Sequence, residues 1–151
     1  MLYGIGCDLC DIAHLEKSLT SPHASAFVRR VYGPAECTAL GLDEPFCAGR
    51  GSAHRLASAA ANFAAKEAFG KALGTGLLRE FALCEAEALR DENGAPYFSF
   101  SGRAAALMQA RGLTAHLSLT HEGGAAAAFV VLERREASAS LKEEPECSTL
   151  R

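Results

Sequence analysis

Two acids and two lysines are the residues whose types and spacing could do chemistry together. Asp8 lies in Ile5-Gly6-Cys7-Asp8-Leu9-Cys10, where an ionised carboxylate is costly to bury unless it is paired or holds a cation. Read alone, Asp8 fits the cap of a following helix better than a metal ligand. Glu67 lies in Phe63-Ala64-Ala65-Lys66-Glu67-Ala68-Phe69-Gly70-Lys71. At helical spacing Phe63, Glu67, Lys71 and Gly74 form one stripe, and Lys66, Gly70 and Leu73 form its neighbour. The plain reading is an exposed Glu67–Lys71 pair four residues apart, worth about 0.3–0.5 kcal/mol. That pair accounts for the charges but not for the surrounding glycine and alanine, which would let something approach the helix closely. Two carboxylates could hold one Mg²⁺, an ion that keeps several waters and binds substrate phosphates. Lysines beside it would offset charge on a departing phosphate. The combination points to phosphoryl chemistry.

Other candidates are weaker. Gly74-Thr75-Gly76 could let backbone approach a phosphate, although glycine after a helix is routine. His116, Ser118 and Thr120 share one face of an alternating segment, which is either a solvent-facing side or an anion-binding or subunit-facing surface. Cys7 and Cys10 are spaced as C-x-x-C, but residues three apart on a strand point to opposite faces and cannot share a metal. The six cysteines are scattered and read as reduced thiols. His14, His23 and His54 read as surface residues.

The elements that must position these residues follow from pattern. Residues 2–7 read as a strand and about 11–19 as a helix ended by Ser21-Pro22. A short helix is expected over 35–40 and a loop over 41–53, and the strongest helix runs from about 53 to 73. Residues 81–89 read as a strand joined through Asn93-Gly94 to a partner at 97–100. Ser101 is expected to cap a helix that reaches Arg111 and stops at Gly112. Strands over 114–120 and 125–132 are joined by Glu122-Gly123-Gly124. The expected class is α+β, one long helix packed on a mostly antiparallel sheet. Residues 1–133 form one domain, and 134–151 form a polar tail expected to fray.

Bulk properties narrow the function. Hydrophobic residues make up 49% of 151 and charged residues 22%, an ordinary globular composition. The net charge of −3 gives no support for a nucleic-acid binder. No apolar run nears the roughly 20 residues that span a bilayer, and the N-terminus lacks the pattern of a signal peptide. No membrane and a cytoplasmic location are therefore expected.

Gly4-Ile5-Gly6-Cys7-Asp8 resembles the N-terminal G-x-G-x-D signature of the small AcpS-type 4′-phosphopantetheinyl transferases, the holo-acyl-carrier-protein synthases. Phe63 through Gly76 resembles their second signature, F-x-x-K-E-A-x-x-K-A-x-G-T-G. Asn93-Gly94-Ala95-Pro96 resembles their G-K-P turn, and His116-Leu117-Ser118-Leu119-Thr120-His121 their H-x-S-x-S/T-H strand. The likeness covers about residues 2–133. It implies transfer of phosphopantetheine from coenzyme A to a serine of an apo acyl carrier protein, with release of 3′,5′-ADP. It implies Mg²⁺ held by Asp8 and Glu67, and Lys71 assisting the leaving group. Lys66, Gly74, Gly76, His116 and Ser118 would lie around the nucleotide. It also implies a homotrimer with sites between subunits. Asn62 stands where the family usually has arginine, and His14 where many members have arginine on the helix that grips the carrier protein. Lys17, Arg29 and Arg30 are then the docking residues expected here. Two alternatives remain: a trimeric module of the same fold that binds coenzyme A or carrier protein without transfer, and a different Mg²⁺-dependent phosphohydrolase.

Overall fold

The computed structural model describes residues 1–44, 46, 52–74 and 80–135. The chain opens with β1 (Leu2–Asp11), followed by α1 (Ile12–Leu19), α2 (Ala24–Val31), α3 (Pro34–Leu40) and the long α4 (Ser52–Leu73). A 3₁₀ turn at Leu83–Glu85 leads into β2 (Ala86–Arg90) and β3 (Pro96–Phe100). Then come α5 (Gly102–Arg111), β4 (Leu113–Glu122) and β5 (Ala125–Arg134). All pairings are antiparallel: β1, β5 and β4 form a three-stranded sheet in that order, and β2–β3 forms a separate hairpin. This is the expected α+β architecture.

The long helix lies against one face of the three-stranded sheet, and its composition explains how closely. Its alanines at 59, 60, 61, 64, 65, 68 and 72 are almost wholly buried. The strand facing it carries glycine where the helix crosses. A Cβ on Gly6 would stand 1.8 Å from the Ala68 carbonyl oxygen, and one on Gly4 would stand 2.0 Å from that of Ala72. The approach anticipated from the small residues is therefore that of the protein's own first strand. On α4's remaining side Phe69 packs its ring against Phe81, Phe98 and Phe100, with centroids 5.0–5.5 Å apart. This cluster fastens the β2–β3 hairpin to the helix.

Several boundaries differ from expectation for local reasons. β1 runs on to Asp11 because β5 pairs with it as far as Ala125. The cap of α1 is accordingly Asp11, whose side chain accepts from the His14 N–H at 2.8 Å, and not Asp8. Residues 83–85 turn before β2 begins, so the expected strand over 81–89 is shorter and later. Ser101 occupies the N-cap of α5 but makes no side-chain capping bond. The helix α2 matched no expected element. Of the loop expected over 41–53, residues 45 and 47–51 lie outside the described residues and residues 52 and 53 already belong to α4, while residues 136–151 of the polar tail lie outside them too.

Candidate active site

Along β1, residues 4, 6, 8 and 10 share the face that meets α4, and residues 5, 7 and 9 face outward. Asp8 is thus aimed at the helix, opposite Ala128 of β5, with 17% of its side chain exposed. From α4, Lys71 reaches back and donates to Asp8 Oδ1 at 2.6 Å and to the Cys7 carbonyl at 3.0 Å. Glu67 sits one turn earlier on the same stripe and is partly buried. Burial pushes its carboxyl above the usual range, the negative charge of Asp8 pushes it further, and the Lys71 ammonium opposes both. The hydrogen bond to Asp8 raises the Lys71 pKa. The same negative field reaches Cys10 behind Asp8: burial first, then Asp8, Asp11 and Glu67, push its thiol up to about 11.

Lys71 therefore pairs with Asp8 across the chain rather than with Glu67 along the helix. Two carboxylates from different elements influence each other and have one ammonium between them. This is a hard-oxygen donor set with residual negative charge, which suits a small divalent cation. Among the described residues no group of three or more His, Cys, Asp or Glu side chains is placed to hold a metal ion. An ion here would need oxygens from outside the protein, as phosphates supply.

Lys66 is elsewhere. One residue before Glu67, it is rotated by roughly 100° around the helix and points into the interior. Its ammonium donates to Glu36 Oε2 at 2.5 Å and to the carbonyls of Ala86 at 2.5 Å and Leu83 at 3.1 Å. Lys66 and Glu36 are both wholly buried, and the ammonium's three donors are all used. Burial pushes the Glu36 carboxyl up and the Lys66 ammonium down, and their mutual attraction opposes both shifts. Glu36 also accepts from Asn62 Nδ2 at 3.0 Å, the Ala88 N–H at 2.9 Å and the Gly33 N–H at 3.2 Å. The two lysines expected beside one site thus serve different ends: Lys71 meets Asp8, while Lys66 ties α4 to α3 and β2 and presents nothing to a ligand. The acid three residues after Gly33, at the start of a helix opened by Pro34, is the sequence signal for Glu36.

His116 and Ser118 project from the sheet face opposite Asp8. His116 aligns through Val131 with Ile5, and Ser118 through Phe129 with Cys7, whereas Asp8 aligns through Ala128 with Leu119. His116 Nε2 lies 2.8 Å from Glu133 Oε2. The outer face also carries exposed Ile5, Leu9 and Phe129. Gly74 ends α4 in the left-handed conformation at φ 73°, and Gly76 lies outside the described residues. A cleft of about 630 Å³ opens on the flank of α4 away from Glu67, between its N-terminal half, the β2–β3 hairpin and the end of β4. Asn62, Arg90, His54 and His121 line it. From the sequence Asn62 stood out as a departure from the family, His121 closed the strand motif and His54 read as a surface residue; Arg90 was not singled out, and no periodicity places the four together.

A sequence model of the 4′-phosphopantetheinyl transferase superfamily matches residues 4–130. The chain is 44% identical over 132 residues to a holo-(acyl-carrier-protein) synthase of Myxococcus xanthus, covering 87% of this chain and 95% of that one. Its fold is similar to a crystal structure of holo-(acyl-carrier-protein) synthase from Neisseria meningitidis, with a TM-score of 0.73, 30% identity and coverage of 89% and 100%. A Bacillus anthracis holo-(acyl-carrier-protein) synthase in complex with CoA (3′,5′-ADP) gives a TM-score of 0.68 at 30% identity over 89% and 99% of the two chains. From its first strand to its last, this chain belongs to the 4′-phosphopantetheinyl transferase superfamily.

Proposed function

We propose that this chain is a holo-acyl-carrier-protein synthase: it transfers the 4′-phosphopantetheine group of coenzyme A to a serine of an apo acyl carrier protein and releases 3′,5′-ADP. The observation that carries this reading is the cross-chain meeting of Asp8 with Lys71 beside Glu67. The names of its relatives and the coenzyme A complex of one of them agree with it.

Asp8 and Glu67 would hold Mg²⁺, whose bound charge neutralises pyrophosphate oxygens and makes the phosphorus more electrophilic. The serine oxygen attacks the β-phosphorus, a P–O bond forms, and the bond to the α-phosphate oxygen breaks. The serine proton would go to Asp8, whose carboxylate Lys71 holds in position, or to a water on the metal. Lys71 offsets the charge that accumulates on departing 3′,5′-ADP. Gly74 ends the same helix and would border the nucleotide, and the resemblance implies the same of Gly76.

In one chain His116 and Ser118 face away from Asp8, so in this reading they serve a neighbouring copy. The outer sheet face, with Ile5 52%, Leu9 69% and Phe129 46% exposed, supports burial in a homotrimer. Exposed Lys17, Arg29 and Arg30 on α1 and α2 offer a basic surface for an acidic carrier protein. No described helix is long and apolar enough to cross a membrane, in keeping with a cytoplasmic enzyme.

The experiment is intact-mass measurement of an apo carrier protein incubated with this protein, coenzyme A and Mg²⁺. A gain equal to one phosphopantetheine is expected. An unchanged mass, with a known transferase converting the same carrier alongside, overturns the reading. Tight coenzyme A binding without conversion would mark a non-catalytic module.

A further inference from the structure

Among the described residues, Glu36, Asn62 and Lys66 are the polar or charged side chains that lie in the core, and all three bond to one another. Asn62 and Lys66 stand four residues apart on one stripe of α4, and Glu36 receives both. Asn62 also donates to the Ala88 carbonyl, and Lys66 to those of Leu83 and Ala86. Five directed bonds thus hold this stripe to α3 and to the approach and start of β2. An interior ion pair adds little net stability, because packed apolar residues often do as well. What its directed bonds can supply is a single arrangement in place of several.

The helix needs such a device, because its packing surface has little relief. Buried alanines at 59, 60, 61, 64, 65, 68 and 72 cover about two-thirds of its circumference. On the strand side Ala68 and Ala72 meet Gly6 and Gly4. Methyl groups against glycine offer no ridge to resist a turn or a slide of the helix. Phe69 is a large knob, but its ring partners Phe81, Phe98 and Phe100 lie on the hairpin side, away from β1. The candidate site tolerates little movement. A slide by one residue's rise is about 1.5 Å, and a turn of roughly 20° moves a Cα by about 0.8 Å and a carboxylate further. Groups that share a ligand must be held to within about 0.5 Å. Among the described residues no hydrogen bond holds the Glu67 carboxylate, so its place follows from the setting of the helix. Lys66 is its immediate chain neighbour.

We infer that the buried Glu36–Lys66 pair positions the metal site: it pins the rotation and axial setting of α4, and so the separation of the Glu67 and Asp8 carboxylates. Lys66 touches neither ion nor substrate; it is a positioning residue that acts through Glu67. The inference rests on the transferase reading, which gives the two acids one ion.

The test compares the wild-type protein, Glu36→Leu combined with Lys66→Met, and Met108→Ala. The last opens a cavity in α5 and lowers stability while leaving the polar anchor of α4 intact. Denaturant unfolding ranks their stabilities. Mn²⁺ is titrated into each with coenzyme A present, and kcat for carrier modification is measured. The double variant, folded and with its charges removed together, should bind Mn²⁺ about ten- to a hundredfold more weakly and lose a similar factor in kcat. Met108→Ala should keep wild-type Mn²⁺ affinity. Affinity for 3′,5′-ADP in EDTA should stay close to wild type in all of them. Should the double variant not fold, Glu36→Gln, which keeps the volume and weakens the bond to Lys66, is measured in its place with the same expectation. Wild-type Mn²⁺ affinity and kcat in the double variant overturn the inference. An equal loss in Met108→Ala overturns it too, by tracing the effect to stability alone. So does a loss of 3′,5′-ADP binding in EDTA, which would make Lys66 a ligand contact. If wild type neither modifies the carrier nor binds Mn²⁺, the transferase reading falls and takes this inference with it. If wild type does both and the double variant matches it, this inference alone falls.

Discussion

Lys71 donates to Asp8 at 2.6 Å across 63 residues of sequence, and in doing so joins the first strand to the end of the longest helix. The contact sets the charge of the candidate site: one ammonium between two carboxylates, of which Glu67 has its pKa raised by burial and by Asp8.

Removing that ammonium should damage chemistry more than fold. Lys71→Ala takes away an exposed side chain, so the melting temperature should stay close to wild type. The rate of carrier modification should fall by about 10²–10³-fold, as for other groups that stabilise developing charge. A variant within a few-fold of wild type in steady-state kinetics would remove Lys71 from the reaction.

The raised pKa of Glu67 has a definite sign in the metal-free protein. A carboxyl whose pKa is higher when folded than when unfolded binds more protons in the folded state, so stability falls as pH rises from the unfolded value of 4.5 through the folded one. Glu67→Gln should lessen that decline, and in EDTA it should melt above wild type at neutral pH. The same variant should lose the stabilisation that Mg²⁺ gives wild type. Thermal melts with and without metal across this pH range check both signs, and a Glu67→Gln protein stabilised by Mg²⁺ as fully as wild type would contradict them.

The buried Glu36–Lys66 pair should be a fold determinant. Lys66→Met leaves Glu36 buried with its charge uncompensated, a loss of about 3–5 kcal/mol. At the few degrees per kcal/mol usual for chains of this size, the melting temperature should drop by roughly 6–20 °C. Glu36→Leu combined with Lys66→Met should regain much of it, because neither charge is then stranded. Nucleotide affinity of the protein that remains folded should be little changed, which calorimetry would show; a selective loss of nucleotide binding with full stability would return Lys66 to the ligand.

Gly6→Ala should fail through backbone contact. Its methyl would stand 1.8 Å from the Ala68 carbonyl oxygen, and a helix backbone cannot swing aside as a side chain can. A cost of about 1–3 kcal/mol or more is expected, with Asp8 displaced from Lys71. Denaturant unfolding measures the cost, and wild-type stability would show that strand and helix separate easily.

The site was legible where the chemistry lay in residue types at fixed local spacing. Glu67 and Lys71 share a helical stripe by geometry alone, and the alternation of His116, Ser118 and Thr120 placed them on one strand face. What could not be read was the third dimension. Helical spacing sets Lys66 beside Glu67 but does not say that α3 and β2 close over that neighbouring stripe, where Glu36 waits. The alanines of α4 looked suited to a ligand's approach because the strand–helix crossing that uses them, at Gly4 and Gly6, depends on two segments more than 60 residues apart. Arg90, His54 and His121 reach one cleft from three elements, none of whose local patterns points to the others.

The central claim is that Asp8 and Glu67 together hold one divalent ion beside a phosphate. The most direct measurement is titration of Mn²⁺, as a paramagnetic substitute for Mg²⁺, into the protein with coenzyme A while the free-ion resonance is followed. Wild type should bind one ion per site, and Asp8→Asn and Glu67→Gln, both still folded, should each lose that site. If both variants bind Mn²⁺ with wild-type affinity, the two acids do not share a metal and the account is wrong.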